Sequence, residues 1–430
     1  MFCVARRLRI GSAIPFGCAL AALWGAPVCA EGDTMLFTAD TLELTGDARV
    51  VLVDGERSWL EGGYGKLRSS GAGDDFQARP EIGNLNLIWQ PQFSWSLSAT
   101  VVGSVQGGAR SEGGLSQAYL SFRPMRGSSD LAFSARAGLM WPPVSLEHEG
   151  ADWHVKDSIT PSAINSWIGE EVKPVAIEGT AVATFGEHKL RATAAVLAAN
   201  DTSGTLLTFR GWALHDRTTL AFRRQPLPPL DGELEEYQAP YTHPLLDVHS
   251  GFAHRPGYYA KIAWQPPIPI RLEFFRYDNR ADPEDVNADL EWGWRTAFDN
   301  LSLVSDLGGR TQLKAQVIEG RTRMGYLEPT RRWVDNRFRS AFVMLVRRFG
   351  SARISLRAEA FDTGNRGSLV DSEYDETGWS GMIAAHHELG PFTGFVELLH
   401  VSSRREDIEA VGLKPCQRQT QLQAQLRMHW

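Results

Sequence analysis

Residues 421–430 read Gln-Leu-Gln-Ala-Gln-Leu-Arg-Met-His-Trp, so polar and apolar side chains alternate through the whole stretch. Successive side chains of a β-strand point to opposite faces of the sheet. The stretch therefore predicts a strand with one apolar and one polar face. Its apolar face carries Leu422, Leu426, Met428 and Trp430, whereas its polar face carries glutamines, an arginine and a histidine.

The same period of two recurs along the chain, for example at residues 93–106, 189–198 and 353–360. A soluble β-sandwich produces this period by burying the apolar face, and a membrane barrel produces it by turning that face to lipid. Here the polar face often carries long charged side chains, and the apolar face often carries Ala and Gly, which would fill a sandwich core poorly. The pattern therefore favours an all-β fold, a transmembrane antiparallel β-barrel.

The lengths of the connections support a barrel. Very short connections, each flanked by aromatic residues, are predicted at 90–92, 186–187, 266–267, 350 and 390–391. Long polar connections alternate with them at 70–80, 142–174, 224–256, 279–288, 325–336, 363–376 and 403–418. Short periplasmic turns, long extracellular loops and interfacial aromatic residues are typical of outer-membrane barrels.

The alternation and the turns together predict eighteen strands, with both termini on the short-turn side. The predicted strands are 56–69, 82–90, 93–106, 113–123, 131–141, 175–186, 188–199, 205–214, 218–223, 257–265, 268–278, 289–299, 311–324, 337–349, 351–362, 377–389, 392–402 and 419–430. If 205–223 belongs to a loop, the count falls to about sixteen, and a barrel of either size can enclose an aqueous channel.

The first thirty residues have the composition of a secretory signal peptide. Three arginines precede an apolar stretch, and Val28 and Ala30 are small enough for cleavage after Ala30. A membrane anchor is the alternative, but the apolar stretch is short and contains a proline. We therefore expect a cleaved leader at 1–30, a periplasmic lead-in or an extra strand at 31–55, and a single barrel at 56–430.

Composition excludes several classes of protein. A chain of 430 residues that is 43% hydrophobic is not a disordered polymer and has enough apolar material for a large fold. The formal net charge of −7 excludes a polycation, so no nucleic-acid partner is expected. After Ala30 no run of eighteen apolar residues predicts a transmembrane helix, and Cys416 is the one cysteine outside the leader, which excludes an intrachain disulfide.

Strand parity points a set of basic side chains into the predicted lumen. They are Arg123, Arg136, Arg191, Lys261, Arg271, Arg295, Lys314, Arg339, Arg353, Arg357 and Arg427. A basic lumen would enrich anions through its local field. The alternative is that Arg–Glu pairs between neighbouring strands only support a wet wall. Each assignment depends on the strand register, which a bulge would reverse.

The connection at 142–174 is long enough to fold into the lumen and narrow it. Its charged candidates for a constriction are Glu147, Glu149, Asp152, Lys156, Asp157, Glu170 and Glu171. The alternative is an extracellular loop that never enters the pore.

No pattern of catalytic or cofactor-binding residues stands out. His386 and His387 are adjacent, so on a strand they point to opposite faces and cannot share a metal within the wall. The sequence contains no His-Glu-x-x-His, paired-Cys, Gly-x-Ser-x-Gly, P-loop or dinucleotide pattern. We therefore expect no metal, no cofactor and no catalytic residue.

Three stretches resemble the porin O/P-like superfamily, the phosphate-selective porins of Gram-negative outer membranes. They are 136–144, a strand that enters a proline-marked loop, 374–379, which precedes an alternating strand, and 395–401, ahead of the closing strand. The resemblance implies a homotrimer that the barrel assembly machinery inserts, with the C-terminal strand as the signal. Phosphate-selective members carry lysine clusters at the constriction, whereas 142–174 has only Lys156 and Lys173, so phosphate selectivity does not carry over.

Together these features predict a porin of about 16 to 18 strands, surrounded by outer-membrane lipid. It would form a passive aqueous channel for small hydrophilic solutes, with a preference for anions. The alternatives are a closed barrel that acts as a surface-binding or structural protein, a lipase-type enzyme with a Ser–His pair on the barrel, and a soluble sandwich.

Overall fold

The computed structural model describes residue 38 and residues 41–430, apart from 72, 125–129, 199–200, 231, 233 and 246–254. Within these residues sixteen strands form one closed antiparallel β-barrel, which confirms the predicted fold class. In chain order the strands are β1 (Leu42–Gly55), β2 (Gly73–Trp89), β3 (Leu97–Gln106), β4 (Glu112–Phe122), β5 (Leu131–Leu139), β6 (Val175–Phe185), β7 (His188–Leu197), β8 (Tyr258–Gln265), β9 (Ile270–Asp278), β10 (Arg295–Gly308), β11 (Thr311–Glu328), β12 (Arg331–Phe349), β13 (Ala352–Asn365), β14 (Glu376–Leu389), β15 (Phe392–Arg405) and β16 (Cys416–His429).

Each strand pairs with its neighbours in sequence, and the barrel closes between β1 and β16, where Leu52 lies opposite Leu422. The connections at one end are short, such as 186–187 between β6 and β7, and this is the short-turn end. The opposite end, the loop end, carries the connections 140–174 and 198–257. The barrel wall begins and finishes at the short-turn end, as predicted.

The strand assignment from sequence was wrong in three regions, and one of them is the expected strand at 289–299, because β10 begins at Arg295 and continues to Gly308. The first strand is Leu42–Gly55, within the segment 31–55 that the sequence predicts to be either a lead-in or an extra strand. The expected strand at 56–69 is instead a connection that contains a 3-10 helix at Trp59–Glu61. The expected strands at 205–214 and 218–223 are not strands either, and their apolar residues are buried inside the barrel. Short apolar runs do not distinguish a strand from a buried helix or loop.

Two expected loops are largely strand. Most of 70–80 belongs to β2, and most of 325–336 belongs to a hairpin in which β11 and β12 extend to a two-residue tip. The predicted leader at 1–30 lies outside the described residues.

The described residues include two α-helices, α1 (Ala163–Glu171) and α2 (Thr205–Phe209). Further 3-10 helices lie at Leu234–Glu236, Ser372–Tyr374 and Asp407–Val411, and two-residue strands pair 148–149 with 154–155 and 225–226 with 241–242. Among the described helices none is long and apolar enough to cross a membrane.

The outward face of the wall is an exposed apolar belt. Large apolar side chains such as Leu356, Ile383 and Leu426 are exposed on it, and aromatic residues including Phe185 and Trp264 are exposed beside the short turns. A continuous exposed apolar surface with interfacial aromatic residues suits contact with lipid. The four residues proposed as the C-terminal signal have side chains that are partly or largely exposed at this face: Leu422, Leu426, Met428 and Trp430.

The largest hydrophobic core lies inside the barrel. Inward side chains of the wall, including Phe298, Phe338 and Phe361, pack there with Trp167 and Trp212 from the long connections. The interior is thus partly a packed core and not only a wet lumen.

Candidate functional site: the lumen and its inner loops

The connection between β5 and β6, residues 140–174, crosses the lumen, and we call it inner loop 1. Asp152 accepts a hydrogen bond from Thr45 on β1 at 2.7 Å, whereas Asp157 accepts one from Lys314 on β11, also at 2.7 Å. Contacts with strands far apart around the wall place the loop across the middle of the barrel. The structure therefore favours the constriction geometry over an extracellular excursion.

Helix α1 is the most deeply buried part of inner loop 1. It begins after Ser162, whose hydroxyl accepts a hydrogen bond from the N–H of Asn165, and all nine of its residues are buried. The ring of Trp167 lies 5.4 Å from that of Phe298 and 5.0 Å from that of Phe338, on β10 and β12. A helix that is buried on every side is a core element, so this half of the lumen is filled.

A buried ion pair holds inner loop 1 to the wall. Nη1 of Arg357, on β13, lies 2.8 Å from Oε1 of Glu147, and the guanidinium donates to two loop carbonyl oxygens at 2.9 and 3.0 Å. Glu147 also accepts hydrogen bonds from Ser162 and Asn165. Burial alone raises the pKa of Glu147, but Arg357 and these hydrogen bonds outweigh it and hold the pKa below its ordinary value.

Two acids of the wall bind the loop backbone directly. Glu397 on β15 accepts hydrogen bonds from the N–H groups of Ile159 at 2.7 Å and Thr160 at 3.0 Å. Glu359 on β13 accepts one from the N–H of Ala163 at 2.7 Å. Because buried N–H groups require acceptors, these carboxylates determine where the loop can lie.

Asp157 links inner loop 1 to two further bases. It lies 2.7 Å from Lys314 and 3.2 Å from Arg353, and Arg353 also reaches Glu388 at 3.0 Å. Burial raises the pKa of Asp157, but the two bases lower it more, so the carboxylate stays charged. Lys314, Arg353 and Arg357 therefore pair with the inner loop and do not line open water.

A second connection enters the lumen at 205–223, where the sequence predicts two strands and leaves a loop as the alternative. Residues 201–223, which we call inner loop 2, contact α1 through Arg210, whose guanidinium nitrogens donate to both oxygens of Glu170 at 2.8 Å. His215 lies 3.1 Å from the same carboxylate. Burial raises the pKa of Glu170, but Arg210 and His215 lower it to about 2. The available signal was the apolar run around Trp212, which was assigned to the wall.

Glu171 joins the two inner loops without an ion pair among the described residues. It accepts hydrogen bonds from Nε1 of Trp167 at 2.7 Å, the N–H of Leu206 at 2.9 Å and the N–H of Gly204 at 3.1 Å. Burial raises the pKa of Glu171 to about 7, and the neighbouring Glu170 adds to the rise. The charge of this buried acid between the two inner loops therefore changes near neutral pH.

The connection between β1 and β2 completes the filling of the lumen. Lys66 lies 2.5 Å from Glu376 on β14, and Arg68 lies 2.7 Å from Asp216 of inner loop 2. Asp216 also pairs with Arg49 on β1 at 2.5 Å. Burial raises the pKa of Asp216, but the two arginines lower it far more. Three connections from the loop end are thus held together by buried charge pairs.

The remaining charged candidates of inner loop 1 lie on its less buried side. Glu149 pairs with Lys156 and His154, and the hydrogen bond with His154 is the main cause that lowers the pKa of Glu149 to about 2. Asp152 lies 2.7 Å from Nδ1 of His154. Arg427 on β16 donates to the carbonyl oxygen of Val155 at 2.7 Å. Beside them a polar cavity of about 50 Å³ separates the loop from the β1–β3 wall.

The lumen opens at the short-turn end on the side of β5–β9. A cavity of about 510 Å³ there, the basic vestibule, is lined by six bases and two acids. These are Arg123, Arg136, Lys189, Arg191, Lys261 and Arg271 with Glu178 and Glu273. At its inner end Lys261 donates to the carbonyl oxygen of Pro143 in inner loop 1 at 2.6 Å. Lys189 was not a sequence candidate, although it lies on the same strand face as Arg191.

Two bases predicted for the lumen lie elsewhere. Arg339 is exposed on the outward side of β12, where it pairs with Asp362 at 3.0 Å. Arg295 shares the outward side of β10 with Ala297 and pairs loosely with Asp278 at 3.6 Å. In both strands the side chains that point into the barrel belong to the residues next to Arg295 and Arg339. The alternation predicted from the sequence was therefore out of register by one residue in these two strands, which reversed both assignments.

Among the described residues no group of three or more His, Cys, Asp or Glu side chains is arranged to hold a metal ion.

Comparison with known proteins shows the fold. No protein-family model matches the chain, and no curated protein matches it. The outer membrane channel DcaP of Acinetobacter baumannii is similar over 90% of this chain and 96% of its own, with TM-score 0.54 and 9% identity. An anion-selective porin from Comamonas acidovorans covers 91% of this chain and 99% of its own, with TM-score 0.49 and 12% identity. The resemblance to the porin O/P-like superfamily stays a prediction.

Proposed function

We propose that the protein is an outer-membrane channel through which small hydrophilic solutes diffuse. The observation that carries the proposal is a closed barrel with an apolar outer belt and a charged cavity inside its short-turn end. Lipid would cover the belt, and water would fill the cavity. The likeness in fold to a solved outer membrane channel supports the same proposal.

Inner loop 1 sets the size limit of the proposed channel. Beside the loop, the polar cavity against β1–β3 measures about 50 Å³ and is lined by groups such as Asp47, Asp152 and Arg427. A cavity of this size holds only a few water molecules, so a path beside the loop would admit only small solutes. We therefore expect the channel to be narrow at this level, unlike a wide general pore.

The basic vestibule supports a preference for anions. Its six bases exceed its two carboxylates, and a cavity with charges of one sign raises the local concentration of counter-ions. The acids and bases of the packed half are paired with one another, so they contribute less to this field.

Several further features belong to the proposal. The short-turn end would face the periplasm, and residues 1–30 would be a leader removed during export. The C-terminal strand, with Leu422, Leu426, Met428 and Trp430 at its outward face, would be the signal for the barrel assembly machinery. A homotrimer in outer-membrane lipid is the expected assembly.

A closed barrel with a surface-binding or structural role is the second candidate. It is favoured by the packed interior, in which every residue of α1 is buried and the Arg357–Glu147 pair is inaccessible to water. Such packing resembles a protein core more than the wall of an open pore.

Planar-bilayer recording separates the two candidates. The folded protein, identified by mobility on a gel that changes on heating, is added to one side of a bilayer. The channel proposal expects stepwise increases in current, and vesicles containing the protein should swell in small neutral solutes. Folded protein that inserts and passes no current would favour the closed barrel.

A further inference from the structure

We propose that the basic vestibule is a binding site for a small anion carrying two or more negative charges, reached from the short-turn end. Its role in transport rests on the proposed channel, whereas binding itself requires only the folded barrel.

The acids of the vestibule are already neutralised. Glu178 lies 2.8 Å from Arg136 and accepts a hydrogen bond from the hydroxyl of Tyr259 at 2.7 Å. Glu273 lies 2.8 Å from Lys261 and 2.8 Å from Arg271. Both carboxylates therefore pair with side chains of the barrel wall. The remaining positive charge of the vestibule faces the cavity without a counter-charge.

Three bases carry most of that remaining charge. Arg123, Lys189 and Arg191 form no ion pair within the part of the chain that the structure describes, and all three are exposed to the cavity or its mouth. An arginine fork and an ammonium are the groups that proteins use for carboxylates and phosphates. Their clustering in one concavity points to an anionic ligand.

The spacing of the bases favours a ligand with more than one charge. Lys189 and Arg191 are two residues apart on one strand face, which separates their Cα atoms by about 7 Å. Across the sheet Arg191 lies opposite Ala263, and Lys189 lies opposite Gln265. On its other side Ala263 lies opposite Glu273, which pairs with Arg271, so the small side chain of Ala263 leaves space for a ligand beside Arg191.

Hydroxyl groups complete the lining. The cavity wall includes Tyr119, Ser134, Ser145, Thr180 and Thr193, which can donate to anion oxygens. Together with the bases these hydroxyl groups would bind several oxygens of a polyvalent anion, and a singly charged anion would use fewer of them.

Calorimetric titration of citrate into the full-length protein in an uncharged detergent tests the site. We expect saturable binding at low ionic strength, weaker binding of acetate, and loss of affinity as salt rises. The double variant Lys189→Gln with Arg191→Gln should lose at least about tenfold in citrate affinity, because two charge-assisted contacts disappear. Arg348→Gln, a base removed from the same barrel end but outside the cavity, should bind citrate as the native protein does.

Ala263→Leu provides a variant without a change of charge. It fills the cavity and should also weaken citrate binding. The proposal is overturned if the native protein binds no citrate, if the double variant binds it as tightly as the native protein, or if Arg348→Gln weakens binding equally. If the protein conducts ions but does not bind citrate, the proposed site is wrong and the proposed channel is supported. If it binds citrate but does not conduct, the proposed channel is wrong and the site is supported.

Discussion

The two sides of the lumen are built differently. At the short-turn end of β5–β9 the inward positions carry charged and hydroxyl side chains around an open cavity, whereas Tyr259, Phe275 and Tyr277 on the same strands pack into the core. On the side of β10–β14 they carry residues such as Phe298, Phe338 and Phe361, which are covered by the inner loops. The difference teaches that inward apolar residues of a barrel mark where a loop packs, whereas inward charges mark water only where no loop group pairs with them, unlike Lys314 and Arg357.

The largest expected effect is that of truncating a side chain at the centre of the packed side of the lumen. Trp167→Ala removes the ring that contacts Phe298 and Phe338 and should lower the free energy of unfolding by about 3–5 kcal/mol. The loosened loop should also raise channel conductance. Trp379→Ala, on the outward face, should change neither quantity by a comparable amount. Thermal unfolding and bilayer recording of both variants measure the effect.

Removing the buried base of the packed side should have the next largest effect. Arg357→Met leaves Glu147 buried without its partner and should cost about 3 kcal/mol of stability. The double change Arg357→Met with Glu147→Met should recover part of the loss, because the charge of Glu147 is gone while Glu359, 3.4 Å from Arg357, is still left without its partner. Arg321→Met, in an exposed pair with Asp335, should cost less than about 1 kcal/mol. Equal losses in the single and double variants would contradict a charge-based anchor.

The fold was predictable from the sequence to a large extent. Alternation at 419–430 and the short turns at 186–187 and 390–391 predicted strands, topology and the position of the ends, because the period of two and the turn lengths are local properties. The count of eighteen failed at 205–223, since an apolar run that packs inside the lumen has no local feature that distinguishes it from a wall strand.

The sequence contains one local signal that a loop fills part of the lumen. Residues 341–346 are apolar at every position, and in the structure Phe342 and Met344 are 2% and 1% exposed, whereas Val343 is 52% exposed. A strand that is apolar on both faces is covered on both, by lipid outside and by a loop inside. Which loop covers it, and the Glu170–Arg210 contact between the loops, depend on long-range packing that no local pattern encodes.

The protonation of Glu171 should make the stability of the packed side of the lumen depend on pH. Its folded-state pKa is about 7, above the ordinary value of 4.5, so the folded state binds more protons between these pH values. The contribution of Glu171 to the free energy of unfolding should therefore fall by about 2 kcal/mol as pH rises from 5 to 7.5, whereas the contribution of the buried His148, whose pKa burial lowers to about 3, rises over this range. Glu171→Gln keeps the acceptor for the Trp167 N–H but loses the acceptor for the Leu206 N–H, and it should remove this pH-dependent contribution. Thermal unfolding of the variant across that pH range checks it, with the exposed Glu409→Gln as control.

The smallest expected effect is a difference between two arginines that the sequence predicts to face the lumen. Arg191→Gln, inside the vestibule, should reduce anion preference in a reversal-potential measurement, whereas Arg339→Gln, on the outward side of β12, should leave it unchanged. The shift for one charge among several should be only a few millivolts in order of magnitude, and it should shrink at high salt. Equal shifts for the two variants would show that the vestibule does not set selectivity.

The most direct test of the account is the single-channel conductance of the protein before and after removal of inner loop 1. Residues 144–171 are replaced by a short Gly-Ser segment, and the matched control shortens 406–415, a loop-end connection that does not cross the lumen. The account predicts small steps for the native protein and the control, and steps severalfold larger without the inner loop. Large native steps that the replacement leaves unchanged, or no current from either protein after insertion, would contradict it.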